Sequence, residues 1–201
     1  MQTPKKLVIL DRDGVINADS DEYIKSPAEW HAIPGSLEAI ARLNQNGYQV
    51  AIATNQMAIA RGLIDMRMLN AIHQKLHLSA LAVGAHINAI FFCPHAIDAF
   101  CDCRKPRPGM LTEIGKRFGV SLKGVPMVGD ALRDMQAAFE VGCSPYLVRT
   151  GKGEKTLQTG GLPPGTQVFD NLSSVVEQLL KNAHLASETM ELARSALTTK
   201  R

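Results

Sequence analysis

The sequence predicts an α/β fold, a Rossmann-like doubly wound parallel sheet, on three observations. Short apolar runs recur along the chain, stretches with helical spacing separate them, and polar residues that can do chemistry stand where several of the runs stop. LVILD (residues 7–11) has the length and continuity of a strand buried on both faces. Leu37, Ile40, Ala41 and Leu43 then repeat at helical spacing until Asn46 and Gly47 stop the helix, and YQVAIAT (48–54) is the second strand. Asp65 is placed to cap a helix whose apolar positions Met68, Leu69, Ile72, Leu76 and Leu81 share one face, ending near Gly84. INAIFFC (87–93) is the third strand.

Pro108 and Gly109 open the next helix, which continues through Leu111, Ile114 and Phe118, and VPMVGD (125–130) is the fourth strand. Residues 131–141 are helical, PYLVR (145–149) is a fifth strand and TQVFD (166–170) a sixth, followed by a helix over 171–180. Residues 151–165, with five glycines and two prolines, read as a loop too long to be a plain connection. The domain is expected over 1–183, with a tail over 184–201 rich in helix formers.

Composition narrows the function classes. The chain has 201 residues, 45% hydrophobic and 20% charged, which suits one packed globular domain and excludes a disordered or low-complexity chain. The net charge of +3 comes from scattered basic residues, so no nucleic-acid surface is expected, while an anionic small molecule stays open as a ligand. After MQTPKK only four apolar residues precede Asp11, fewer than the roughly 7–15 of a secretory core, so the cytoplasm is the expected compartment. Residues 76–97 carry no Asp, Glu, Lys or Arg, yet His77, Gly84, His86, Asn88, Pro94 and His95 interrupt them, and no membrane span or membrane partner is expected. A monomer is the default expectation.

Ligands of a doubly wound sheet gather beyond the carboxyl ends of its strands. Strand one ends in Asp11, Asp13 and Gly14, strand two in Thr54 and Asn55, and strand four in Gly129 and Asp130 with Asp134 one turn later. These types suit phosphoryl transfer. Asp11 is the expected nucleophile, ionised at neutral pH and able to form an acyl phosphate. Asp13 is the expected acid and base, its pKa raised by anionic neighbours. Asp11 and Asp130 side chains with the Asp13 carbonyl are expected to hold Mg²⁺, while Thr54 donates a hydrogen bond and Lys105 a positive charge to the phosphoryl oxygens.

In order and placement, DRDGVIN (11–17), TNQ (54–56), RKP (104–106) and GDALRD (129–134) resemble the haloacid dehalogenase (HAD) superfamily of phosphohydrolases. The resemblance implies an HAD-like domain without a large cap, closed over its substrate by the short segment 19–23.

Cys93, His95, Cys101 and Cys103 supply three thiolates and an imidazole within one loop (93–105), enough for a closed structural Zn²⁺ site that would hold Arg104 and Lys105 toward the strand ends. Cys143 stands apart and is expected in the core. CPH followed by CDCRKPRPGM is similar to two zinc-loop families, the D-glycero-D-manno-heptose-1,7-bisphosphate 7-phosphatases and the histidinol-phosphate phosphatases. The segment from Ile59 to Gly62, the Pro108-Gly109-Met110 ending and VRTGKG (148–153) favour the first. The resemblance implies a sugar bisphosphate as substrate, in the route to nucleotide-activated heptose and lipopolysaccharide. It also implies substrate contacts from Asp19, Asn55, Gln56, Arg61 and Arg104. Histidinol phosphate as substrate, or a non-catalytic zinc-binding module, are the alternatives. The chain departs from the heptose family's pattern at Met57-Ala58 and at Ala131, where a lysine is usual; Arg133 could supply the missing charge if it turns inward.

Overall fold

The computed structural model describes residues 6–198; residues 1–5, most of the MQTPKK opening, and 199–201, the end of the expected tail, lie outside the described residues. Six parallel strands form one sheet in the order β3-β2-β1-β4-β5-β6: β1 (Lys6–Leu10), β2 (Tyr48–Asn55), β3 (Ala89–Cys93), β4 (Pro126–Gly129), β5 (Ser144–Val148) and β6 (Gln167–Phe169). The chain builds outward from β1 to β3, then returns to the other side of β1 with β4. The crevice for a ligand therefore opens where β1 and β4 end.

Alternation along β1 decides which layer covers which face. Val8 and Leu10 point into a core with α1 (Ser36–Gln45), α3 (Met66–Ala82) and the start of α7 (Leu172–Thr198). Leu7 and Ile9 point the other way, against Met110, Leu111 and Ile114 of α4 (Gly109–Phe118) and Ala137 and Ala138 of α5 (Leu132–Glu140). Cys143 is buried in this second core, as its isolation in sequence suggested. Between β1 and α1 there is only a short segment with one 3₁₀ turn, Pro27–Glu29, and no room for a large cap. No helix among the described residues is long and apolar enough to cross a membrane.

Three expectations are corrected. In α3, capped by Asp65 accepting from Met68 N at 2.8 Å, the buried face is Leu69, Ile72, His73, Leu76 and Ala80, while Met68 and Leu81 are exposed. The stripe was drawn one position off because His73, a polar residue, occupies a core position. The stretch 151–165 contains a helix, α6 (Gly153–Thr159), and its Gly151 and Gly153 serve close packing against Asp130 and Val148. The last helix does not stop at 180 but runs to Thr198, since 181–198 contain no proline or glycine to end it. One short helix went unread from sequence, α2 (Met57–Ala60).

Candidate active site and cysteine–histidine loop

The strand ends open onto a cavity of about 250 Å³ whose wall includes Asp11, Asp13, Asp19, Thr54 and Arg104. Beneath it lies a buried charge cluster. The Lys105 ammonium, 1% exposed, sits 3.0 Å from Asp11 Oδ2 and 2.7 Å from Asp134 Oδ1, and donates to the Ala53 carbonyl at 2.6 Å. Burial works against the lysine's charge, but the two carboxylates hold its pKa above the ordinary value. Burial pushes Asp11 up to about 6 against the pull of Lys105, so it is still mostly a carboxylate at neutral pH. Asp134 is held below the usual range, burial being outweighed by Lys105 and Arg133. Asp134 also accepts from Ala131 N at 3.0 Å, capping α5. A side chain at Gly129 would collide with Asp134, its Cβ falling 2.3 Å from that of the aspartate.

Asp13 contradicts the expected raised pKa. The neighbour that matters is a cation: Arg12, 1% exposed, grips both Asp13 oxygens at 2.9 and 3.0 Å, while Asn17 and Gln56 donate to the same carboxylate at 2.9 Å. Burial favours the protonated form, yet these partners hold the group below the ordinary aspartate value. Arg12 is anchored in turn by Gln56 Oε1 at 3.1 Å and His73 Nε2 at 3.3 Å. Burial and the guanidinium push His73 down to about 4, so it is neutral and accepts. The importance of Arg12 was missed from sequence, where an arginine between two aspartates was the one available sign.

Asp130 closes the site from β4. Its Oδ2 accepts from Lys152 N at 2.7 Å, and its Oδ1 is buried without a partner. Burial, with Asp134 and Asp11 nearby, pushes its carboxyl up to about 8. The loop into α6 packs against it so tightly that a Cβ at Gly14 or Gly151, both with positive φ, would lie 2.0 or 2.2 Å from Asp130 Oδ2. Thr150 Oγ1 donates to the Gly14 carbonyl at 2.6 Å and Thr156 Oγ1 to that of Asp130 at 2.9 Å. The glycine-rich stretch read as a long loop is thus part of the site. Carboxylate oxygens of Asp11, Asp130 and Asp134 lie within 4.8 Å of one another. Three converging carboxylates with one orphaned oxygen suit a hard divalent cation.

The residues expected to touch substrate divide. Thr54 is buried and its Oγ1 accepts from Gln56 Nε2 at 2.8 Å, which leaves its hydroxyl hydrogen to donate. Gln56 is fully engaged by Arg12, Asp13 and Thr54. Asn55 uses both ends of its amide on the Lys105 main chain, donating to its carbonyl at 3.0 Å and accepting from its N–H at 3.2 Å. These two amides position other groups and also line the cavity. Arg61 is exposed and does not line the cavity; its guanidinium lies 5.3 Å from the centre of the Tyr23 ring. Asp19 lines the cavity and pairs with Lys152 at 3.1 Å, as does Asp21 at the same distance. Arg104 also lines it, donating to the His95 carbonyl at 3.2 Å, with Met57 Sδ 3.9 Å away.

At the end of β3 the cysteine loop brings its four donor atoms together. Cys93 and Cys101 Sγ are 3.6 Å apart, as are Cys101 and Cys103, and His95 Nδ1 lies 3.6 Å from Cys93 and 3.3 Å from Cys103. Bonds of about 2.3 Å to sulfur and 2.0–2.1 Å to nitrogen in a tetrahedron give edges of about 3.8 and 3.6 Å. The cluster therefore has the dimensions of a zinc site.

Comparison with known proteins agrees with this geometry. The HAD-hydrolase-like family matches residues 102–175. The D-glycero-beta-D-manno-heptose-1,7-bisphosphate 7-phosphatase of Bordetella bronchiseptica is 58% identical, over 89% of this chain and 99% of that protein. Its namesake from Pseudomonas aeruginosa is 52% identical, over 88% and 99%. The crystal structure of the B. bronchiseptica D,D-heptose 1,7-bisphosphate phosphatase, complexed with magnesium and phosphate, covers 88% of this chain and 99% of its own with a TM-score of 0.87. That of the Burkholderia thailandensis D,D-heptose 1,7-bisphosphate phosphatase, 49% identical, gives 0.71 over 88% and 99%. At 58% and 52% identity over nearly the whole length of these relatives, the chain belongs to the D-glycero-beta-D-manno-heptose-1,7-bisphosphate 7-phosphatase family of HAD-like phosphatases.

Proposed function

We infer that the protein hydrolyses the C7 phosphate of D-glycero-D-manno-heptose 1,7-bisphosphate through a phosphorylated Asp11, on the way to the nucleotide-activated heptose of lipopolysaccharide. The observation that carries the chemistry is the Asp11 carboxylate at the cavity wall, fixed from below by Lys105. Attack by an Asp11 oxygen forms a P–O bond as the P–O bond to C7 breaks. Thr54 donates its hydroxyl hydrogen to a phosphoryl oxygen. Asp13 starts as a carboxylate; the negative charge of the arriving phosphate raises its proton affinity, and it takes up a proton from solvent water and passes it to the departing C7 oxygen. The same carboxylate then removes a proton from the water that cleaves the acyl phosphate and frees inorganic phosphate. Asp11 and Asp130 side chains, with the Asp13 carbonyl, would hold Mg²⁺, which supplies charge neutralisation between two anions.

Cys93, His95, Cys101 and Cys103 would hold a structural Zn²⁺ ordering the loop that carries Arg104, and three reduced thiols in one cluster suit the cytoplasm. Stripping zinc with a chelator, then restoring magnesium, is expected to lower Tm and expose the bond after Arg104 to trypsin. Unchanged Tm and digestion would contradict the assignment.

Arg104, engaged with the loop, is the cation placed for the second phosphate, which the histidinol-phosphate reading does not need. Relatives of this identity do not favour that reading or a non-catalytic module. Parallel kinetics with magnesium is expected to show kcat/KM for the heptose bisphosphate roughly 10²-fold or more above that for histidinol phosphate, since a site built for a charged group rejects an analogue lacking it. The reverse preference would overturn the substrate.

A further inference from the structure

We propose that Arg133 is a catalytic phosphate-binding cation of this site, donating from its guanidinium to the phosphoryl group as that group transfers to Asp11. The inference rests on the phosphatase reading above, and begins with an inventory of positive charge. An ammonium has three N–H donors, and those of Lys105 face Asp11, Asp134 and the Ala53 carbonyl. Lys105 therefore neutralises the floor of the site from beneath the cavity wall, which it does not itself line. The Arg12 guanidinium is engaged by Asp13, Gln56 and His73. Lys152 is paired with Asp19 and Asp21, and Arg104 is tied to the cysteine loop. Each of these cations already answers to a protein acceptor, and Arg104 is the one assigned above to the second phosphate, not to the group that transfers.

Arg133 differs. It stands in the first turn of α5, half-buried, on the wall of the same cavity as Asp11, Asp13 and Thr54. Its Nε is buried without a hydrogen-bond partner, and it enters no ion pair among the described residues. The negative charges of Asp134, Asp11, Asp130 and Asp19 favour the charged guanidinium against its burial, and none of the four forms an ion pair with it among the described residues. A buried donor with no acceptor is costly unless a ligand supplies one. A planar, permanently charged fork on the same cavity wall as the attacking carboxylate matches two oxygens of a phosphoryl group. As the bond from Asp11 to phosphorus forms and the bond to C7 breaks, the charge on those oxygens is met by Arg133 on one side and the Thr54 hydroxyl on another.

The test uses Arg133→Met, which keeps the length and apolar stem of the side chain, and Arg133→Lys, with magnesium present throughout. Two quantities are read: kcat/KM on the heptose bisphosphate, and the affinity of inorganic phosphate by calorimetry. Arg133→Met is expected to lower kcat/KM by roughly 10²–10³-fold, the range for losing one donor to a developing oxyanion. Phosphate affinity should fall in parallel by about tenfold or more, and Arg133→Lys should recover part of both. Phosphate affinity within about twofold of the parent in Arg133→Met would overturn the proposal, even with turnover reduced, because the residue would then act through the fold. Should the parent chain fail to hydrolyse the bisphosphate, the substrate reading fails, while the phosphate measurement still decides the role of Arg133.

Discussion

Lys105→Met is expected to lower stability by about 3–5 kcal/mol at neutral pH, the cost of removing one partner from a buried ion pair, and to abolish turnover. For a chain of this size that corresponds to a fall in Tm of roughly 6–20 °C. The methionine fills a similar volume, so the loss is electrostatic: Asp11 and Asp134, 3% and 0% exposed, would face each other and Asp130 with no buried cation between them. The sign with pH follows. In the variant both carboxyls bind protons more readily in the folded protein than in the unfolded chain, so its deficit against the parent should shrink from pH 8 to pH 5. Adding Asp134→Asn to the variant should restore part of the stability and none of the activity. Urea denaturation across that pH range checks both statements, and a deficit that widens as pH falls would contradict the charge argument.

Asp11→Asn is expected to reduce kcat by on the order of 10⁴-fold or more, as for removal of a nucleophile in other covalent mechanisms, and to leave the fold intact. The amide is isosteric, keeps an acceptor for Lys105, and relieves repulsion from Asp130 and Asp134. Tm should therefore stay near that of the parent, in contrast to Lys105→Met. Steady-state kinetics decides, together with mass spectrometry of quenched reactions, which should show a phosphorylated parent and an unmodified variant. Residual kcat above about 1% of the parent would contradict a role for Asp11 as nucleophile, given the size of effect expected for a covalent centre.

The sheet could be read from sequence because strands buried on both faces leave continuous apolar runs, and their ends marked Asp11, Thr54 and Asp130. The cysteine spacing was equally open to reading, since four donors in one loop need no long-range fold to meet. What stayed hidden depends on side chains crossing between elements. Arg12 and His73 lie 61 positions apart, and only the packing of α3 on the sheet brings them together. Asn55 and Gln56 line the cavity as their place at the tip of β2 suggested, but their pairing with Lys105 and Asp13 could not be read from sequence. Arg61 sits in a family-like segment, yet its guanidinium lies over the ring of Tyr23, a cavity-wall residue, and does not itself line the cavity.

The Asn55 amide, bracketing the main chain of Lys105, divides the protein's labour more sharply than its small size suggests. Lys105 is fastened to the tip of β2 by that bracket and by the Ala53 carbonyl, whereas its neighbour Arg104 leans on the His95 carbonyl of the cysteine loop. On the proposed reading, bond-breaking machinery is thus anchored to the sheet, whereas recognition of the distal phosphate would depend on the cysteine loop. A loop of different length or sequence could be exchanged beyond that bracket, altering which phosphorylated metabolite is accepted while the reacting groups keep their register.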